Sequence, residues 1–190
     1  MRSEIIFIGP VGAGKTTLGT LIAEALQLPK HSLDDLRWGY YDEIGYDVAT
    51  MKAIDAKEGF AGVYQYWKPF EIHAVERMLE EHKDCVFDFG AGHSVYANDG
   101  LFARAERALA PFSNVVLILP SPDLEESLCL LQEVPRNRQL AKEHPDLHEK
   151  LQRHLVTHHS NHDLAKHVVY THGKSPEQSR DELLEAVSAT

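Results

Sequence analysis

Apolar and polar positions along the chain follow two periodicities, one typical of buried strands and one typical of amphipathic helices. Short apolar runs at 5–8 and 114–120 predict strands buried on both faces of a sheet, and we expect the second of them to be central. Elsewhere, as in 18–26 and 72–79, apolar residues recur every three or four positions, which predicts helices. Strands that alternate with helices predict a three-layer α/β/α fold around a parallel sheet of five strands.

The remaining elements follow from the same patterns and from the turn residues between them. Further strands are predicted at 28–35, at 85–92 and near the start of 167–187, where a loop and a closing helix follow. Other helices are predicted at 47–60, 69–82, 101–109 and 121–132, together with a histidine-rich helix that ends near 161. The segment 133–146 is polar and interrupted by prolines, which is typical of a loop.

The first strand leads directly into a glycine-rich turn with the pattern GxxxxGK[ST]. Glycines let backbone N–H groups converge on phosphate oxygens, while Lys15 can reach the outer phosphates and the Thr16 hydroxyl can ligate Mg²⁺. The turn lies between an apolar strand and an amphipathic helix, as a phosphate loop must. We therefore predict a nucleotide site with Mg²⁺ on Thr16. Its residues are Gly9, Gly12, Ala13, Gly14, Lys15, Thr16 and Thr17.

Composition and charge narrow the class of protein. The chain has 190 residues, 43% of them hydrophobic and 25% charged, which suits one domain with a sizeable core. The formal charge of −10 and the scattered lysines and arginines argue against nucleic acid as a partner. Cys85 and Cys129 each lie in apolar stretches and are interpreted as buried free thiols in a reducing cytoplasm. No run has the length of a membrane span, so we expect a cytoplasmic protein without a membrane partner. We also expect a monomer or a weak dimer.

Several classes of nucleotide-binding protein lack support in the sequence. A GTP-binding switch should carry an Asn-Lys-x-Asp motif, and a hexameric ATPase should carry a glutamate after the aspartate that ends its second motif strand. Here Asp88 is followed by Phe89, so Asp88 is either a strand-end turn residue or a group that helps to hold Mg²⁺ or water. His154, His158 and His162 recur at helical spacing, but a solvated helix face is favoured over a metal site.

Over nearly its whole length the chain resembles the shikimate kinase family. The resemblance rests on the phosphate loop and on motifs that follow it in the same order. They are Ser32-Leu33-Asp34-Asp35, the segments 56–60 and 68–79, Gly90-Ala91-Gly92, Arg136-Asn137-Arg138 and the segment 168–178. Only the phosphate loop is specific by itself. The resemblance implies one P-loop NTPase kinase domain, 1–190, with an acceptor-binding lobe at about 34–70 and a lid at about 133–145.

The resemblance also implies roles for individual residues in phosphoryl transfer from ATP to a hydroxyl of a small molecule. Asp34 or Asp35 would orient or deprotonate that hydroxyl, with Asp34 also near Mg²⁺, although both are also typical first-turn acids of a helix. Lid arginines would neutralise the phosphates, and adenine would lie against the loop 173–176. The cationic and nucleotide-binding residues are Arg136, Arg138, Lys174 and Pro176. The acceptor-binding residues are Lys68, Gly90, Gly92 and His158.

Departures from the family pattern concern the grip on a substrate carboxylate. Lys68 stands where the family has an arginine, and His158 or His159 where it has a second one. A lysine cannot form the two parallel hydrogen bonds of a guanidinium, so we expect shikimate to be a poor acceptor. The aromatic segment from Tyr40 to Trp67 favours a polyol, a sugar or a nucleoside-like compound. Shikimate kinase itself, and a regulatory nucleotide-binding protein with weak hydrolysis, are the alternatives.

Overall fold

A computed structural model describes residues 2–134, 142 and 145–188, and it contains the predicted parallel sheet of five strands. The strands are β1 (Arg2–Ile8), β2 (Lys30–Ser32), β3 (Val86–Asp88), β4 (Phe112–Leu119) and β5 (His167–Tyr170). They are hydrogen-bonded in the order β2-β3-β1-β4-β5, and every neighbouring pair is parallel. The three-layer α/β/α prediction is thereby confirmed.

The helices of the described residues connect and follow these strands. They are α1 (Lys15–Leu26), α2 (Leu33–Glu43), α3 (Val48–Glu81), α4 (Asp99–Leu109), α5 (Leu124–Glu133), α6 (Pro145–Thr157), α7 (His159–Leu164) and α8 (Pro176–Ser188). The connection from β1 to β2 runs in one direction across the sheet, and the later connections run in the other. Because such crossovers are right-handed, α1 lies on one face with α8 against it, while α3 and α4 pack together on the opposite face.

The strand at the centre of the sheet is not the one that was predicted. The middle strand is β1, whose residues Ile5 to Ile8 are at most 1% exposed, and β4 lies beside it. An apolar run shows that a strand is covered on both faces, but β1 and β4 both satisfy that condition. The expectation that 114–120 is the central strand is therefore wrong. The carboxyl ends of β1 and β3 lie side by side, which brings the phosphate loop next to the turn after Asp88.

Two predicted helices form one long element, and one predicted strand is shorter than expected. Helix α3 runs from Val48 to Glu81 through Pro69, with non-helical backbone angles at Gly59 (φ 65°, ψ −164°). Aromatic side chains pack on this helix next to Pro69, where Tyr41, Tyr46 and Phe70 approach one another with ring centroids 5.2 to 5.7 Å apart. Strand β2 ends at Ser32, so 33–35 is the first turn of α2.

The two cysteines have different surroundings. Cys85 is buried before β3, and burial raises the pKa of its thiol to about 12. Cys129 is exposed on α5, so the prediction of burial is wrong for this residue, because a short apolar stretch does not tell which face of a helix is covered. In the part of the chain that the structure describes, no helix is both long enough and apolar enough to cross a bilayer.

Candidate active site

A cavity of about 430 Å³ opens at the carboxyl ends of β1 and β3, where the sequence predicts the nucleotide and its acceptor. The phosphate loop and the start of α1 line part of it. The polar and charged residues in the rest of the lining include Asp34, Arg37, Glu71, Asp88 and His93. The largely apolar ones include Phe60, Tyr64, Trp67, Leu151 and Leu155. A cleft outside the carboxyl ends of parallel strands is the usual ligand position in this class of fold.

The phosphate loop has the backbone that anion binding requires. Gly12 and Gly14 have φ values of 88° and 100°, a region that side chains with a Cβ rarely adopt. Helix α1 begins at Lys15 without a side-chain cap, so its first N–H groups and its positive end point to the cavity. The Lys15 ammonium donates to the carbonyls of Gly9 and Pro10 at 2.8 and 2.9 Å. These residues fit the phosphates of a nucleotide.

Asp88 ends β3 beside the phosphate loop and faces the cavity. Its carboxylate is 4% exposed and accepts a hydrogen bond from the Thr16 side chain. Burial raises the pKa of Asp88, while the Thr16 hydrogen bond and the positive charges of Lys15 and Lys30 act in the opposite direction. A carboxylate beside a hydroxyl is a donor set that suits Mg²⁺. Of the two interpretations left open by the sequence, the position of Asp88 favours the magnesium or water-positioning role.

Asp34 and Asp35 are distinguished by the orientation of α2. Both lie in its first turn, but Asp34 lines the cavity and Asp35 is exposed outside it. Asp34 Oδ1 lies 2.5 Å from the position that a Cβ on Gly90 would occupy, so the turn after β3 touches the carboxylate closely. A larger residue at Gly90 would displace Asp34. Asp34 also accepts a hydrogen bond of 3.4 Å from Arg37 Nη1.

Lys68 does not line the cavity, and its ammonium is almost completely surrounded by protein groups. Nζ donates to Glu71 Oε2 at 2.5 Å and to the Gly92 carbonyl at 3.0 Å, and it lies 4.0 Å from the centre of the Tyr64 ring. The residue is 4% exposed. Burial lowers the pKa of Lys68, and the Glu71 charge opposes that shift. Lys68 is near the predicted acceptor position, but the structure does not bring its charge to the cavity surface.

The turn after β3 is held by Glu71 and His93. Gly92 has room for no larger side chain, because an added Cβ would lie 2.5 Å from Glu71 Oε1. The His93 ring is buried, with Nδ1 3.3 Å from the Gly90 carbonyl and Nε2 3.4 Å from the Tyr41 hydroxyl. Burial lowers the pKa of His93, so the ring is neutral near pH 7. Glycines at 90 and 92 therefore permit a close approach of backbone to Asp34 and Glu71.

Other predicted site residues lie away from this cavity or outside the described residues. Lys174 forms an ion pair with Glu182, and neither Lys174 nor Pro176 lines the cavity. The loop they belong to follows β5 at the same edge of the sheet, where His172 N–H donates to the Pro120 carbonyl at 2.8 Å. Arg136 and Arg138 belong to 135–141, which lies outside the described residues, so the lid stays a prediction.

His158 also lies outside the cavity lining. Its Nδ1 accepts a hydrogen bond of 3.2 Å from Ser160 N–H and so caps α7. Burial, together with the nearby histidines and Lys68, lowers the pKa of His158 to about 4. A neutral ring offers no positive charge to a carboxylate. Across the described ranges 2–134, 142 and 145–188, no three His, Cys, Asp or Glu side chains are grouped as a metal would require.

The cavity residues that were not among the predicted site residues include Arg37, Phe60, Glu71 and His93. Glu71 and Arg37 each lie one helical turn after a predicted residue, so helical spacing from Lys68 and Asp34 is the signal that could have found them. His93 follows the Gly90–Gly92 turn directly. Phe60 follows the helix break at Gly59, and no pattern in the sequence distinguishes it from core aromatic residues. Within the aromatic segment from Tyr40 to Trp67, the residues Phe60, Tyr64 and Trp67 line the cavity, and their role toward an acceptor stays a prediction.

Comparisons with known proteins agree with this geometry. A model of the shikimate kinase family matches residues 11–188. Shikimate kinases from Streptomyces avermitilis and Streptomyces coelicolor are each 28% identical to the chain, covering 97% and 96% of it and 95% and 94% of the relatives.

Solved structures show the same fold at lower sequence identity. A shikimate kinase from Acinetobacter baumannii in complex with shikimate has a TM-score of 0.63 at 19% identity, covering 100% of this chain and 93% of that one. A gluconokinase from Sinorhizobium meliloti has a TM-score of 0.60 at 14% identity, covering 100% and 94%. At these identities the likeness concerns the fold alone.

Proposed function

The chain belongs to the shikimate kinase family, and from that premise we propose that it transfers the γ-phosphoryl group of ATP to a hydroxyl of shikimate. Membership of this family makes the protein a small-molecule kinase. The phosphorylation of a small-molecule hydroxyl is thus established at the level of the family, and the regulatory alternative loses its support. ATP, Mg²⁺ and the identity of the acceptor are parts of the proposal.

One observation carries the proposal for this chain. Asp34 and Asp88 line the same cavity as Lys15 and Thr16, so carboxylates and a phosphate-binding helix end share one cleft. Such a cleft can hold a hydroxyl close to a phosphoryl group. Kinases need little more from the protein than this alignment and the neutralisation of charge.

Roles for the residues follow from their positions. MgATP, when bound, supplies the phosphoryl group. Thr16 and Asp88 would hold the metal ion, while Lys15 and the first turn of α1 would bind phosphate oxygens. Asp34 orients the acceptor hydroxyl and accepts its proton, for which its exposed position in the cavity is suitable. Phe60 and Trp67 also line the cavity and would cover the carbon skeleton of the acceptor.

The proposed acceptor, shikimate, differs from the polyol, sugar or nucleoside-like compound that the sequence favours. The expectation of poor shikimate phosphorylation rests on Lys68 and on His158 or His159 in place of two family arginines, and the comparisons give that expectation no support. The curated relatives that span almost the whole chain are named shikimate kinases. Because the cavity contains another cation, Arg37, loss of the family arginine does not leave the acceptor site without positive charge.

A matched pair of variants tests the proposal. Asp34→Asn and Asp35→Asn remove the same charge from adjacent positions in one helical turn, but only Asp34 lines the cavity. We expect wild-type protein to release ADP in the presence of shikimate, ATP and Mg²⁺, with shikimate phosphate identified by ³¹P NMR. Loss of a general base costs about 10²- to 10⁴-fold, so Asp34→Asn should lose most turnover and Asp35→Asn should keep it. Wild-type protein without shikimate-dependent ADP release would refute the acceptor, and equal effects of the two variants would refute the role of Asp34.

A further inference from the structure

The cavity contains an arginine that has few protein partners. Arg37 Nη1 donates to Asp34 Oδ1 at 3.4 Å, a long hydrogen bond, and its guanidinium lies 4.6 Å from the centre of the Trp38 ring. Nε is enclosed by protein, yet no described residue accepts a hydrogen bond from it. Because Nε is enclosed, a ligand in the cavity meets the guanidinium through its Nη atoms, and the hydrogen bond that Nη1 donates is the long one to Asp34. Arg37 is therefore a cation that is held in the cavity and only partly neutralised.

The Lys68 ammonium, in contrast to the Arg37 guanidinium, has protein partners for its charge. Its charge is matched by Glu71 at 2.5 Å, its second hydrogen bond goes to the Gly92 carbonyl, and its third side faces the Tyr64 ring. Binding a substrate carboxylate would require Lys68 to leave a buried carboxylate unpaired, which is strongly unfavourable. The lysine therefore ties α3 to the turn after β3.

We propose that Arg37, and not Lys68, binds a carboxylate of the phosphate acceptor. The inference rests on the proposed function and concerns the same cavity. Arg37 lies one turn after Asp34 on α2, so an acceptor whose hydroxyl meets Asp34 places a second substituent within reach of the guanidinium. A guanidinium binds a carboxylate through two parallel hydrogen bonds. The acceptor class is consequently a compact hydroxy acid.

The charges around Arg37 favour an acid over a neutral polyol. Glu71 is matched by Lys68, and His93 is neutral near pH 7 because burial lowers the pKa of its ring. A neutral polyol could accept hydrogen bonds from the guanidinium but would bring no negative charge to it, and the hydrogen bond to Asp34 is long at 3.4 Å. A carboxylate supplies two charged acceptors for the Nη atoms and leaves Asp34 available to the hydroxyl. Phe60 and Trp67, which also line the cavity, suit the carbon ring of such an acid.

The experiment compares an acid with its neutral analogue. Shikimate and its primary amide differ only in the charged group that Arg37 is proposed to bind. In Arg37→Gln we expect the KM for shikimate to rise roughly 10- to 100-fold, as for a lost charged hydrogen bond, with kcat little changed. The KM values for the amide and for ATP should stay within about twofold of the wild type. Arg37→Lys should fall between the two.

A control and the contrary outcomes keep this inference separate from the proposed function. Arg153→Gln removes an arginine that pairs with Glu125 on α5 and does not line the cavity, and it should match the wild type. An unchanged shikimate KM in Arg37→Gln, or equal changes for acid and amide, would overturn the inference while shikimate turnover still supports the function.

If shikimate is not the acceptor, the role of Arg37 can still be tested with other acids. If wild-type protein neither binds nor phosphorylates shikimate, calorimetry with quinate and gluconate in the presence of MgADP decides the inference. Binding of either acid that weakens at least about tenfold in Arg37→Gln supports it. Absence of binding by both acids, or equal affinity in wild type and variant, overturns it.

Discussion

The Lys68 ammonium and the Glu71 carboxylate form a buried ion pair of 2.5 Å, with 5% and 6% of the two side chains exposed. They lie one turn apart on α3, and the Lys68 bond to the Gly92 carbonyl links this helix to the turn after β3. That turn includes Gly90, which lies against Asp34. Through these contacts the ion pair holds in place the turn after β3, part of which lines the cavity.

Loss of one partner of this pair should destabilise the protein. In Lys68→Met the Glu71 charge remains buried without its partner, and we expect the free energy of unfolding to fall by about 3 kcal/mol or more. The double variant Lys68→Met/Glu71→Leu removes both charges and should recover most of that loss. Urea denaturation of the wild type and of both variants measures these differences. A single variant within about 1 kcal/mol of the wild type would show that the pair is dispensable.

Asp88 should reduce stability while it supports activity. Burial raises the pKa of Asp88 in the folded state above its ordinary value of 3.8, so its contribution to stability is present below that value and is lost as pH rises through the folded pKa. Asp88→Asn should therefore be more stable than the wild type at pH 7, and this difference should disappear below about pH 3.8. Turnover should fall at least roughly 100-fold, because a group that stabilises charge at the metal is lost.

Denaturation curves at several pH values, together with turnover assays, check this expectation. Asp55→Asn, at an exposed position on α3, removes the same formal charge and serves as the control. If Asp88→Asn is less stable than the wild type at pH 7, the buried carboxylate is compensated by its partners and the prediction is wrong.

His158 should contribute to the loss of stability in acid. Burial, His154, His159 and Lys68 lower its pKa to about 4, whereas Asp163 acts in the opposite direction. A lowered pKa means that the neutral ring is favoured in the folded state, so its contribution is present above the ordinary value of 6.5 and is lost as pH falls through about 4.

Replacing His158 by asparagine isolates this contribution. Asparagine is a good N-cap and keeps an acceptor for the start of α7, but it does not titrate. Between pH 6.5 and 4, His158→Asn should lose less stability than the wild type, as measured by chemical denaturation. His172→Asn, which alters an exposed histidine after β5, is the control. Identical pH profiles of His158→Asn and wild type would assign the acid sensitivity to other groups.

Lys15 should be essential for turnover and of small importance for folding. Its ammonium donates to the carbonyls of Gly9 and Pro10, so the structure assigns it contacts within the loop in addition to the expected role toward phosphate. Lys15→Ala should lose ATP turnover by at least roughly 100-fold. Each lost hydrogen bond is worth about 0.5–1.5 kcal/mol, so unfolding should cost about 1–3 kcal/mol less.

An ATP turnover assay and urea denaturation test the two parts of this prediction. Lys57→Ala is the control, because Lys57 is 81% exposed on α3 and its ammonium pairs with the neighbouring Glu58. Unchanged ATP turnover in Lys15→Ala would contradict the assignment of the phosphate loop, whereas an unfolded variant would contradict the minor role in folding.

Local features of the site could be predicted from the sequence. The phosphate loop is eight consecutive residues between a strand and a helix, so its glycines, Lys15 and Thr16 are placed by neighbours in the chain. The alternation of strands and helices likewise predicts the parallel sheet, because burial on both faces leaves a continuous apolar run. These features depend on contacts that are short in sequence.

The tertiary structure alone decided which side chains face the cavity. Asp34 and Asp35 are adjacent acids in one helical turn, and only the packing of α2 beside the turn after β3 directs Asp34 inward. Lys68 is a plausible substrate ligand by sequence, but Glu71 and the Gly92 carbonyl, the latter 24 residues away, satisfy its charge. Arg37 gains its position by the same packing. Distances between elements far apart in sequence determine these roles, and hydrophobic periodicity carries no information about them.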